Sequence, residues 1–215
     1  MILYDYWRSS SAWRVRIALH LKGIAFERRV VNIAPGSSEQ HGADFKALNP
    51  LSQVPVLIPD PGARPLTQSM AILAYLEERF PTPALLPTDA SLRARTRQLA
   101  EMVNADIQPM QNLPTMERVR ELGADPIAWS AYFNARGLAA LEAVAGETAG
   151  AFLVGDAPTL ADLFLIPQLY SARRWAVDVA RYPTLLRAEA ACAPLPAFQA
   201  AHPDAQSDAP ARQPT

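Results

Sequence analysis

The proline-punctuated segment Pro81-Thr82-Pro83-Ala84-Leu85-Leu86-Pro87 constrains the fold of this chain more than any other stretch. Proline lacks the backbone N–H that helix and sheet both use, so prolines spaced this way end the element before them. Ahead of the segment, strand and helix patterns alternate. Behind it, only helical patterns of comparable strength recur. Residues 2–6 are apolar and β-prone, and Trp13, Ile17, Ala18 and Leu21 then return at helical spacing until Gly23. Residues 26–33 are rich in β-branched side chains and read as a strand. A polar loop over 35–43 follows, then one helical turn over 45–48 and a strand over 54–58. Pro59-Asp60-Pro61-Gly62 turns the chain toward a short partner near Leu66. Ser69 reads as the N-cap of a helix striped by Ile72, Leu73, Leu76 and Phe80.

Beyond the prolines, residues 92–111 and 126–145 read as long helices. Thr159-Leu160-Ala161-Asp162 opens another with capping-box spacing, Asp standing for the usual Glu or Gln. Shorter helices are expected over 183–192 and 196–201, and the Ala/Asp/Pro/Gln-rich stretch from Pro203 is expected to be disordered. The expected fold is α/β plus all-α: a β-α-β-α-β-β-α domain over 1–81, an all-helical domain over 88–202, and a tail over 203–215.

Composition removes several classes of function. Of 215 residues, 50% are hydrophobic and 19% charged, enough apolar material for a core in each part. A formal net charge of -1 provides no basic field for nucleic acid and no polybasic patch for a membrane surface. The first residues lack the basic and long apolar regions of a signal peptide, and no apolar run approaches the roughly 20 residues of a membrane helix. Cys192 is the only cysteine, so an intrachain disulfide and a Cys-based zinc site are excluded, and a reducing cytoplasm is the expected compartment. His20, His41 and His202 lack metal-ligand spacing, and no metal is expected.

The chemistry concentrates at Arg8-Ser9-Ser10-Ser11-Ala12-Trp13-Arg14-Val15-Arg16, where a strand turns into a helix. A helix start carries unpaired N–H groups and about half a positive charge. Serine there satisfies one N–H as a cap, and the same corner attracts an anion. Capping alone explains the serines. A bound anion is the second explanation, and Arg8 beside it suits a carboxylate.

Further segments give that anion an identity. Ser9-Ser10-Ser11-Ala12-Trp13-Arg14-Val15-Arg16 resembles the Zeta-class glutathione transferase signature Ser-Ser-Cys-x-Trp-Arg-Val-Arg. Ala47-Leu48-Asn49-Pro50 with Gln53-Val54-Pro55 resembles that family's approach to its cis-proline, and Gln68-Ser69 its glutathione-holding pair. Gln108-Pro109-x-Gln111-Asn112-Leu113, Val154-Gly155-Asp156 and Thr159-x-Ala161-Asp162 extend the likeness over residues 1–200. Within the class the chain looks most like the maleylacetoacetate isomerases. Two positions depart from the pattern: Ser11 stands for a cysteine, and Pro114 for a common serine.

The resemblance implies a thioredoxin-like domain joined to a helical one, glutathione as cofactor, and a homodimer. It places Ser9 as hydrogen-bond donor to the glutathione sulfur, with Ser10 and Ser11 assisting. It adds Ala12, Trp13, Arg14, Gln40, Val54, Pro55, Gln68, Ser69, Gln108, Asn112 and Leu113 as glutathione contacts. Arg8 and Arg174 become candidates for substrate carboxylates. The implied reaction is cis–trans isomerisation of maleylacetoacetate to fumarylacetoacetate, in tyrosine and phenylalanine breakdown. Maleylpyruvate isomerisation, conjugation or dehalogenation of small α-halo acids, and non-catalytic glutathione binding are the alternatives. Magnitudes favour a hydroxyl as the deciding group. A helix N-terminus stabilises an anion by about 0.3–1 kcal/mol, up to about 2. At about 1.4 kcal/mol per pKa unit, this lowers a thiol near 8.5 by around one unit, only partial ionisation at neutrality. A charge-assisted hydrogen bond of about 1.5–3 kcal/mol supplies the rest.

Overall fold

Alternation in Ile2–Asp5 places Leu3 and Asp5 on the buried face and makes this strand, β1, the centre of the sheet. The computed structural model describes residues 1–210. After β1 come α1 (Ser10–Leu21), β2 (Glu27–Val30), a 3-10 turn over Glu39–His41, and α2 (Ala43–Leu48). Then follow β3 (Val56–Ile58), β4 (Leu66–Thr67) and α3 (Ser69–Arg79). The sheet order is β2-β1-β3-β4. β1 and β2 run parallel from Ile2 opposite Glu27 to Asp5 opposite Val30, while β3 is antiparallel to both β1 and β4. Leu3, Ile17, Leu57, Ile72 and Leu76 are fully buried. At roughly 1.5–3 kcal/mol for each such side chain, this apolar layer holds the helices to the sheet. The expected β-α-β-α-β-β-α order is the one found, with β2 shorter than its β-branched stretch.

The remaining elements are helical: α4 (Ala90–Glu101), a π-helical stretch Met102–Ile107, a 3-10 turn Gln108–Gln111, α5 (Leu113–Glu121) and α6 (Pro126–Ala145). α7 (Leu160–Arg174), a 3-10 turn Val179–Arg181, α8 (Pro183–Cys192), α9 (Pro196–Ala201) and a 3-10 turn Pro203–Ala205 are the last elements of the described residues. The single helix expected over 92–111 is therefore three conformations in series. Pro109 removes an N–H there, and Ile107 packs where a Cβ on Gly137 of α6 would lie 2.3 Å from its Cγ1. Helix α5 was not expected from the sequence. At α7 the capping box forms as read: Asp162 accepts from Thr159 N–H (2.8 Å), Thr159 Oγ1 (2.9 Å) and Leu153 N–H (3.0 Å). Burial pushes the Asp162 carboxyl up, against the pull of those donors.

The chain divides into two units, one of Ala84–Leu195 and one of Met1–Pro83 joined by the residues from Pro196 on. This differs from the expected assignment of 196–202 to the helical part. α9 packs on α1, and Arg16 Nε donates to Ala201 O at 3.1 Å, so the end of the chain returns to the sheet-bearing unit. The expected disorder from residue 203 also fails for the described residues. Pro203–Ala205 forms a short helix, and Asp208 pairs with Arg28 at 2.7 Å. Residues 211–215 of the expected tail lie outside the described residues. No helix of the described residues is long and apolar enough to cross a membrane.

Candidate functional site

In the sheet-bearing unit the strand-to-helix corner has the geometry of a cap. Ser9 is extended (φ -65°, ψ 115°), and its Oγ accepts from Ala12 N–H at 3.3 Å. Its carbonyl accepts from Trp13 N–H at 2.8 Å, and its own N–H donates to Tyr6 O at 2.9 Å. Accepting the Ala12 bond uses a lone pair, so the hydroxyl keeps its proton for donation. Cap and anion donor are thus compatible in one side chain. Ser10 and Ser11 occupy the first turn, half-buried. Arg8 stacks its guanidinium over the Trp7 ring, 5.4 Å from the centroid.

Arg14 is fully buried on α1, and its Nη1 donates to Ser69 Oγ at 3.1 Å. This bond joins the serine corner to the start of α3. Ser69 is not the N-cap expected from the sequence. The capping position is Gln68, without a side-chain cap bond and with φ +68°. A non-glycine residue there costs about 1–3 kcal/mol, and such residues cluster at ligand clamps. Val54-Pro55 is a cis peptide, as the resemblance implies. Strand register starts only at Val56, opposite both Tyr4 and Thr67, so Val54 lies outside the ladder. Gln40 is buried on its 3-10 turn, and its Oε1 has no donor against it among the described residues. An unmet buried acceptor costs about 1–3 kcal/mol, and a ligand N–H would remove that cost. Trp13 is buried with its ring edge-on to His202 at 5.3 Å, a packing position.

In the helical unit, Gln108 Nε2 donates to Asn112 Oδ1. Asn112 then precedes α5, with Leu113 and Pro114 in its first turn. Arg174, in the last turn of α7, sits 5.3 Å from the Trp175 ring centroid. The Trp175 indole belongs to an amide network. Gln111 Oε1 accepts from Asn134 Nδ2 (2.8 Å) and Trp175 Nε1 (2.9 Å). Gln111 Nε2 donates to Gln168 Oε1 (3.3 Å), and Gln168 Nε2 to Asn134 Oδ1 (2.5 Å). Cys192 is buried, which pushes its thiol well above the ordinary range and leaves it a packing group.

Comparison with known proteins decides the family. Residues 8–79 match the glutathione S-transferase N-terminal domain and residues 135–206 the C-terminal domain. Maleylpyruvate isomerase of Ralstonia sp is 46% identical over 97% of this chain and 99% of its own length. Maleylacetoacetate isomerase of Rattus norvegicus is 42% identical over 98% and 95%. The chain is a Zeta-class glutathione transferase. Among solved structures, a maleylacetoacetate isomerase from Anaeromyxobacter dehalogenans 2CP-1 with GSH bound in its active site is 56% identical, covers 97% of each chain and has a TM-score of 0.89. A maleylpyruvate isomerase described as a bacterial Zeta-class glutathione S-transferase has a TM-score of 0.92 at 45% identity, covering 98% of this chain and all of its own.

Within the transferase's first unit, the structure joins Ser9–Ser11 to Gln68-Ser69 through Arg14, a link that sequence reading did not foresee. In its second unit, Gln108 and Asn112 touch, and Arg174 adjoins the Trp175 end of the amide network. Asn134 and Gln168 escaped the sequence reading altogether. Their only signal was a polar residue within a buried helix face, and nothing in the linear order pairs them.

Proposed function

We propose that this transferase is a glutathione-dependent cis–trans isomerase converting maleylacetoacetate to fumarylacetoacetate. The observation that carries this is the Ser9 hydroxyl, placed at the N-terminus of α1 with its proton free to donate while its oxygen caps the helix. The names borne by full-length relatives support the reaction class. The residues also fit glutathione: Gln40 offers an unmet buried acceptor, and Gln68-Ser69 offers a strained N-terminal corner for a carboxylate. Glutathione, when bound, would supply a thiolate nucleophile for reversible addition to the cis double bond. Ser9 donates to that sulfur and holds it ionised, with Ser10 and Ser11 close by. Ser69, held by Arg14, takes the γ-glutamyl carboxylate, and Val54 offers its backbone for pairing. Arg8 binds a substrate carboxylate and favours the negative charge that develops in the transition state. Arg174 is a second guanidinium proposed for the diacid. A homodimer in the cytoplasm is the setting proposed for the reaction.

A second reading, maleylpyruvate isomerisation, is favoured by the 46% identity to the Ralstonia enzyme. Initial rates on both substrates, with and without glutathione, test the proposal. Glutathione-dependent isomerisation with higher kcat/KM on maleylacetoacetate supports it. A reversed preference favours the second reading, and no turnover of either diacid refutes both.

A further inference from the structure

Residues Tyr6, Trp7 and Arg8 lie between β1 and α1, where neither ladder nor helix supplies partners for the backbone. Side chains hold Trp7 instead, one from the returning chain end and one from α1. Trp7 N–H donates to Asp208 Oδ2 at 3.1 Å, and Trp7 O accepts from Arg16 Nη2 at 2.8 Å. Trp7, two residues before Ser9, is therefore held at both its N–H and its carbonyl. The two side chains holding it belong to one charge network. Asp208 pairs with Arg28 Nη2 (2.7 Å), Arg28 Nε with Asp5 (2.5 Å), and Asp5 with Arg16 Nη1 (2.7 Å). Asp5 and Arg16 are fully buried, and Arg28 and Asp208 are partly buried. Asp208 thus meets charge from Arg28 on β2, with Asp5 on β1 and Arg16 on α1 behind it. His202 and Asp204 are the titratable groups nearby on its own segment.

We propose that Asp208 is a positioning residue for the serine corner: the returning chain end clamps the Trp7 peptide and so fixes where Arg8 and Ser9 stand at the start of α1. The proposal rests on the reading of Ser9 as the thiolate donor. Its physical basis is geometric. Trp7 N–H has an anionic partner more than 200 positions away in sequence, and the bond ends on the loop that carries both catalytic candidates. A loop freed at that point lets hydroxyl and guanidinium drift, and misplacement by about 1 Å costs up to about a hundredfold in rate.

Asp208→Ala and Asp208→Asn are compared with the wild type by three measurements: native-state hydrogen exchange, ultraviolet titration of the bound glutathione thiol, and separate kcat and KM. In Asp208→Ala the Trp7 and Ser9 amides exchange about tenfold faster, while amides late in α1 keep their protection. The bound thiol titrates at higher pH, and kcat falls on the order of tenfold. Asp208→Asn keeps an oxygen for Trp7 and loses the charge on Arg28, and it falls between. It also decides the matter if the alanine variant does not fold. Unchanged exchange at Trp7 and an unchanged thiol titration overturn the proposal, even if the melting temperature drops, because Asp208 would then be a structural tie only. A wild-type complex with no lowered thiol titration overturns the thiolate reading of Ser9. The exchange measurement still judges the clamp in that case.

Discussion

Replacing Ser9 separates its two roles because they respond to different substitutions. The cap bond from Ala12 N–H is 3.3 Å, beyond the usual 2.7–3.2 Å range, so its share of stability lies at the low end of the range for caps. Ser9→Ala is expected to cost about 0.5–1 kcal/mol of stability, and Ser9→Gly only a few tenths. Both remove the same hydroxyl proton. Losing a hydrogen bond to an anion, about 1.5–3 kcal/mol, raises the bound thiol by about one to two pKa units. The defect therefore depends on pH. Near pH 6, where the variants hold mostly thiol and the wild type is already partly thiolate, kcat/KM for isomerisation falls about tenfold in either variant. Above about pH 8.5, where the thiolate forms unaided, the gap closes. The assay is a pH profile of the isomerase rate beside urea unfolding of the same proteins. Ser9→Thr, which keeps a hydroxyl, retains the wild-type profile shape. A defect that follows stability rather than the hydroxyl, with Ala worse than Gly, refutes the reasoning. So does a defect of equal size at all pH values.

Three further outcomes are expected. Gln40→Leu removes an acceptor that has no donor among the described residues, so the free protein melts no lower than wild type, while calorimetry shows glutathione binding weakened about tenfold. Equal affinity would remove Gln40 from the site. Asp162→Ala deletes three hydrogen bonds in a buried capping box and lowers unfolding free energy by about 3 kcal/mol or more, while the folded fraction keeps its kcat. Gly137→Ala places a Cβ 2.3 Å from Ile107 Cγ1, and denaturant unfolding registers a loss of about 1–3 kcal/mol. Unaltered stability would mean that α6 and the π-helical stretch shift apart at no cost.

Local chemistry was readable in the chain, and distant chemistry was not. The Ser9 cap, the Asp162 capping box and the β-α-β-α-β-β-α order follow from patterns a few residues long, and each is found. Ser69 suits a cap by its residue type, because serine commonly is one. The real capping residue, Gln68, has a positive φ that its residue type gives no reason to expect. Ile107, in the π-helical stretch after Glu101, sits against Gly137, thirty positions away, and no helical stripe encodes that meeting. Asp208 looked like part of a disordered tail because its composition is polar. Its order comes from Arg28 and Trp7 at the other end of the chain. The amide network of Gln111, Asn134, Gln168 and Trp175 was hidden in the same way: each residue alone resembles an ordinary helix position.

Free thiol followed during turnover tests the central claim most directly. With glutathione and maleylacetoacetate at known concentrations, the account predicts that the cis substrate is consumed over many turnovers while free thiol stays constant and the trans diacid accumulates. Thiol lost in proportion to substrate would contradict it, since glutathione would then be a reactant that leaves in the product.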